Sequence, residues 1–217
     1  SVNSIGRYIF SNCSSLTSIE MPKSLTNIGD YAFRDCSNLV NIKIPQNVSS
    51  MGKYTFSDCS SLTNVELSES LTSIGNSAFR NCSSLESIKI PESVNSIDEY
   101  AFYGCSSLES IKIPDSVSSI GKYAFYRCSS LISIKIPENI NNIDKYTFYG
   151  CSNLTNIKIP KSLEKIEYEA FYYCESIKYV YYLGSKEDFD KIGGASSIFR
   201  NATIHYGVID YIQPDND

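Results

Sequence analysis

The side chains with the most reactive chemistry are eight cysteines, at 13, 36, 59, 82, 105, 128, 151 and 174, and the single histidine, His205. A thiol beside an imidazole can act as a nucleophile with its base, paired cysteines can form disulfides, and four such groups can hold zinc. The spacing argues against all three. Every interval is 23 residues, so the cysteines are equivalent positions of a repeat, and a dyad would have to single one out, Cys174 being nearest in sequence, and bring it to His205. There is no C-x-x-C, and a linear ladder does not close a tetrahedron of ligands. Coils stacked about 4.8 Å apart permit a disulfide by distance, but thiols in register point the same way, and nothing favours pairing 13 with 36 over 36 with 59. The expectation is eight reduced, buried thiols that pack as small apolar residues, with no catalytic residue, metal or cofactor.

Two further columns of the repeat carry chemistry. One reads Glu20, Lys43, Glu66, Lys89, Lys112, Lys135, Lys158 and Tyr181, so that Lys89, Lys112, Lys135 and Lys158 fall in consecutive coils. Like charges directly opposite are unfavourable. The row is either an anion-attracting strip or a surface neutralised by Glu92, Asp115 and Glu138 together with Glu86 and Glu109. The other column is aromatic. Tyr100 with Tyr103, Tyr123 with Tyr126 and Tyr146 with Tyr149 recur three residues apart and are expected to pack between coils with their hydroxyls in water. The Ser and Asn pairs that follow each cysteine, such as Ser83-Ser84, are expected to satisfy backbone groups of a turn.

The elements that must position these groups are legible in the unit CSSLESIKIPESVNSIDEYAFYG, residues 82–104. Leu85, Ile88 and Ile90 alternate with polar residues up to Pro91, the pattern of a half-buried strand. Stacking one such strand per coil gives a parallel sheet with an inward ladder from Ile19 to Val180. A second extended piece follows, with Val94 and Ile97 inward, and then a column of Gly or Asp, with Glu167 as its last member. Gly and Asp start helices and tolerate the left-handed region, so a short helix is expected over the Ala-Phe pair, with Phe10 to Phe171 stacking as one aromatic spine.

The pattern C-S-S-L-x-S-I-x-I-P-x-S-V-x-S-I-G-x-Y-A-F, repeated eight times, resembles the BspA-type leucine-rich repeats of bacterial and trichomonad surface proteins. The resemblance implies an α/β solenoid of right-handed coils, with one parallel sheet and short helices opposite. It also implies a cell-surface or secreted protein and a non-enzymatic role in adhesion to a protein or glycan on another cell or matrix. A structural spacer without a ligand of its own is the other reading. The repeat covers residues 1–183. Residues 184–217 are expected to form a C-terminal cap, with a helix started by Ser185 and Asp188, Phe189 and Ile192 on one face, and strands at Ile204–Tyr206 and 208–212.

At the other end the chain opens at Ser1 within a coil, without a basic, apolar leader, which reads as a trimmed fragment. First-coil residues such as Ile5, Phe10 and Leu16 should then lack an upstream neighbour and offer an end-to-end contact. Nineteen Lys and Arg against 24 Asp and Glu give a net charge of −5, which argues against nucleic acid as a general partner. No apolar run is long enough for membrane insertion.

Overall fold

The computed structural model describes residues 2–207 and shows a β-solenoid of about nine parallel turns. Each coil has three faces. The first is the strand before the proline, for example Ser87–Lys89, which pairs in parallel with Ser110–Lys112 as Ile88 meets Ile111. The second is the extended piece after the proline, a two-residue strand such as Ser96–Ile97 that pairs with Ser119–Ile120. β-Branched Ile and Val point inward on both and are almost all buried, because a period of two leaves Ser, Asn and Lys on the outside.

The third face corrects the expectation of short helices. Over residues 100–105 alternate amides bond in opposite senses. Tyr100, Phe102 and Gly104 donate to Lys122, Ala124 and Tyr126 of the next coil at 3.1, 2.8 and 2.7 Å. Ala101, Tyr103 and Cys105 donate three residues back within their own coil. A helix would turn every amide onto its own segment and leave the neighbouring coil unbonded on this face. Left-handed residues make the alternation possible, one at Tyr100 (φ 59°) and one at Gly104 (φ 72°), and the same two positions recur in every coil from Tyr8 and Asn12 to Glu169 and Tyr173. A non-glycine residue costs about 1–2 kcal/mol in that region, so the main-chain bonds between coils outweigh a repeated local penalty.

Inside, the spine forms as expected. Phe79, Phe102 and Phe125 stack with centroids 5.6 and 5.4 Å apart and are fully buried. The cysteine column lies against it. Cys105 Sγ donates to the Phe79 carbonyl of the previous coil at 3.1 Å, and that carbonyl also accepts from Cys82 N at 3.2 Å. The staple recurs from Cys36 onto Phe10 through to Cys174 onto Phe148. All eight cysteines are unpaired thiols, and Cys13 differs from the expectation in being half-buried, with no upstream Phe carbonyl among the described residues to receive its thiol. Burial raises Cys82, Cys128 and Cys151 well above the ordinary thiol range and pushes Cys105 up to about 12. The serines after each cysteine have a structural role as well: Ser83, Ser106 and Ser129 each donate to the carbonyl of the equivalent serine one coil upstream at 3.3–3.4 Å.

The two ends differ. Ser185 opens the helix Lys186–Phe189 by accepting from Asp188 N at 3.2 Å, and Phe189 and Ile192 are buried. The chain then adds a further turn, with Thr203–Tyr206 pairing in parallel with Tyr179–Tyr182 and Phe199 packing 5.4 Å from Phe171. The tail therefore extends the stack as well as following it. The strand expected over 208–212 lies outside the described residues. At the first coil Phe10, Leu16 and Ile19 are only partly buried, whereas Ile5 departs from expectation and is buried in register with Ile28.

This packing sets two expectations. Phe102→Ala should cost about 3–5 kcal/mol in a denaturant titration, and Phe10→Ala, with a neighbour on one side only, distinctly less. A thiol reagent should label Cys13 of the folded protein well ahead of the rest and all eight cysteines once it is denatured without reductant.

Candidate functional site: the outer row of the sheet

The lysine row stands where the alternation of the strands places it. Lys89 lies in register with Lys112, and Lys135 with Lys158, on parallel strands. Their ammonium groups do not form one bare strip. Lys89 reaches Glu69 at 3.1 Å, Lys112 reaches Glu92 at 3.9 Å, and Lys135 reaches Asp115 at 2.9 Å. Each acid sits just after the strand of the preceding coil, so the row is a diagonal zipper in which every ion pair ties two coils. Earlier in the row, Lys43 pairs forward with Glu66. For Asp115, burial favours the neutral acid, but the hydrogen bond and charge of Lys135 outweigh it and hold the carboxyl below its ordinary range.

Lys158 is different. Among the described residues it has no ion pair, and on its far side the row changes chemistry: Lys158 is in register with Tyr181, and Tyr181 with His205. Tyr181 and His205 stack with centroids 5.0 Å apart, and Tyr179 lies 5.9 Å from the imidazole. His205 thus belongs to the outer surface, whereas Cys174 points into the core toward Phe148, so the structure does not bring the thiol and imidazole together. The sequence reading missed this aromatic end. His205 follows Tyr181 by 24 residues, one more than the repeat, so an alignment on the 23-residue period does not place it in the row.

A second concavity opens between the first two coils. Ser18 forms an isolated bridge with Asn41, and Ile19, Met21, Pro45, Lys23 and Lys43 are among the residues that line a cleft of about 670 Å³. No group of three His, Cys, Asp or Glu side chains among the described residues is placed to hold a metal.

Comparison with known proteins agrees with this architecture. A model of the BspA-type leucine-rich repeat region matches residues 1–94 and 72–204, with six copies. The crystal structure of a leucine-rich repeat protein from Bacteroides ovatus superposes with a TM-score of 0.79 at 33% identity, covering 94% of this chain and 52% of that one. The chain thus spans about half the length of that protein. The leucine-rich repeat protein of T. pallidum superposes at 0.70 with 29% identity, covering 80% of this chain and 82% of its own. No curated protein sequence matches.

The zipper itself is expected to add little stability. Lys135→Gln should cost less than about 1 kcal/mol at neutral pH, because both partners are partly exposed. The folded Asp115 carboxyl is held below its unfolded value, so the pair stabilises above the unfolded value and its contribution is lost as pH falls through the folded one. Unfolding curves of the two proteins should therefore converge on acidification, and a gap that persists would place the effect elsewhere than in this ion pair.

Proposed function

Because the chain belongs to the BspA-type leucine-rich repeat family, we propose that it is a non-enzymatic binding module of a surface or secreted protein. It presents its sheet face to a protein or glycan on another cell or in a matrix. The observation that carries this reading is the break in the row. Coils that repeat present the same outward group again and again, whereas at Lys158, Tyr181 and His205 a cation without an ion pair among the described residues meets a stacked aromatic pair. Aromatic rings beside a cation supply contact area and direction to a ligand in a way that a neutralised zipper does not. Among the described residues no helix is long and apolar enough to cross a membrane.

The runner-up, a spacer that holds other parts of a longer protein at a distance, draws on the regular pairing at Lys89, Lys112 and Lys135. The partly buried Phe10, Leu16 and Ile19 of the first coil also suit an end-to-end contact, with further coils or with a second chain.

A screen of matrix proteins and glycans with the chain, followed by the Lys89→Gln, Lys112→Gln, Lys135→Gln, Lys158→Gln variant, tests the sheet face. Binding through it should weaken in the variant and lose part of its salt dependence. Unchanged binding with unchanged salt dependence would remove the row, and absence of any ligand would favour the spacer.

A further inference from the structure

The third face carries a surface of a different kind. Tyr100, Tyr123 and Tyr146 stack with centroids 4.8 Å apart, and Tyr103, Tyr126 and Tyr149 form a parallel column at 4.7 Å. Within each coil the two rings are inclined by 49°, 51° and 58°, so the columns make one ridged strip along the solenoid axis. Toward the C-terminal end the strip leads into Tyr172 and Tyr173, exposed by 48% and 54%, with Tyr173 set edge-on to Tyr149.

Four cations line this face. Lys122 and Lys145 immediately precede Tyr123 and Tyr146, and both are exposed. The guanidinium of Arg80 lies 5.2 Å from the Tyr103 ring, and that of Arg127 lies 5.5 Å from Tyr126. None of the four is in an ion pair among the described residues, in contrast to Lys89, Lys112 and Lys135 on the sheet. The charges of Lys145 and Lys122 do reach Glu167, which is itself paired with Lys165 at 2.7 Å. The nearby acids include Glu99, Glu167 and Glu169; Glu167 pairs with Lys165, and Glu169 is engaged with the Tyr146 hydroxyl, which that hydrogen bond keeps protonated.

Tyrosine offers an apolar ring and a polar tip at little cost in side-chain freedom, a combination that suits the C–H faces and hydroxyls of sugars. Unpaired cations in a row add their fields for an anion lying along it. The coil spacing is comparable to the length of one sugar unit, so successive units of a linear chain would meet successive coils. We propose that this strip binds an acidic polysaccharide laid along the solenoid axis, its rings against the tyrosines and its carboxylate or sulfate groups at Lys122, Lys145, Arg127 and Arg80. The site is separate from the sheet face, and either surface can fail without the other.

The full chain has no Trp and 17 Tyr, so tyrosine emission reports binding, and the variants locate it, because Tyr179 and Tyr181 lie on the sheet face. Titration with a heparin oligosaccharide should change that emission with an affinity that falls as salt rises, while dextran should leave it unchanged. The Lys122→Gln, Arg127→Gln, Lys145→Gln variant alters exposed side chains only and should lose on the order of tenfold or more in affinity with an unchanged unfolding midpoint. Tyr126→Ser should weaken binding while preserving its salt dependence. The proposal is overturned if the intact chain does not bind heparin, if the triple variant binds as well as the parent, or if the sheet-face lysine variant loses as much. It is equally overturned if poly-glutamate binds as tightly, since that would leave no part for the sugar.

Discussion

Every coil of this chain must satisfy its backbone against the coil before and the coil after, on all three faces at once. On the two extended faces that requirement is met by ordinary parallel pairing. On the third face the chain has to turn, and turning within a helix would consume the amides that the neighbours need. The solution is an alternation of local and inter-coil bonds, set by two left-handed residues four positions apart. The remaining columns follow from it. With Phe held between those two positions, its side chain enters the core and its carbonyl faces the thiol of the following coil. The cysteine is therefore a donor matched to one acceptor, small enough to lie beside the spine, and not a reactive group awaiting a partner.

The same requirement explains why hydroxyl side chains recur in register. Ser93 and Ser116 donate at 2.6 Å to Leu71 and Val94 carbonyls of the preceding coil, and Thr55 and Thr147, in the place usually taken by Ala, donate to Gly52 and Asp144 within their own turn. Buried or half-buried polar atoms are thereby spent on neighbouring main chain. At the end of the lysine row and on the third face, by contrast, aromatic groups stack with one another along the outer surface.

Much of the stack was legible because its signals are local or periodic. The alternation around Ile88 and Ile90, the terminating Pro91, the inward Val94 and Ile97 and the Phe column each follow from residue type and the 23-residue period. The third face was misread because Gly121 or Asp98 before an Ala-Phe pair is also how a short helix begins. What decides between helix and turn there is bonding to a segment 22 residues away, for example Phe102 to Ala124, and no local window contains it. A weaker signal was present in the column Asn12, Asp35, Asp58, Asn81, Gly104 and Gly150, residues that tolerate the left-handed region; Tyr at the companion position conceals it. For the outer rows, the run of lysines was plain, whereas their diagonal pairing with acids depends on how far each coil is offset from the next, a property of the packed stack.

The thiol-to-carbonyl staple reaches one coil and no further, and it always runs in the same direction. Each coil thus offers its successor the interface that it accepted from its predecessor. A genetic duplication or loss of 23 codons within the array would rejoin matching surfaces, so array length can vary by recombination without compensating substitutions. Insertion of a single codon would displace thiol, phenyl ring and left-handed turn together. Selection on such a protein can therefore adjust its reach in whole coils, while new specificity arises by substitution along the outer rows.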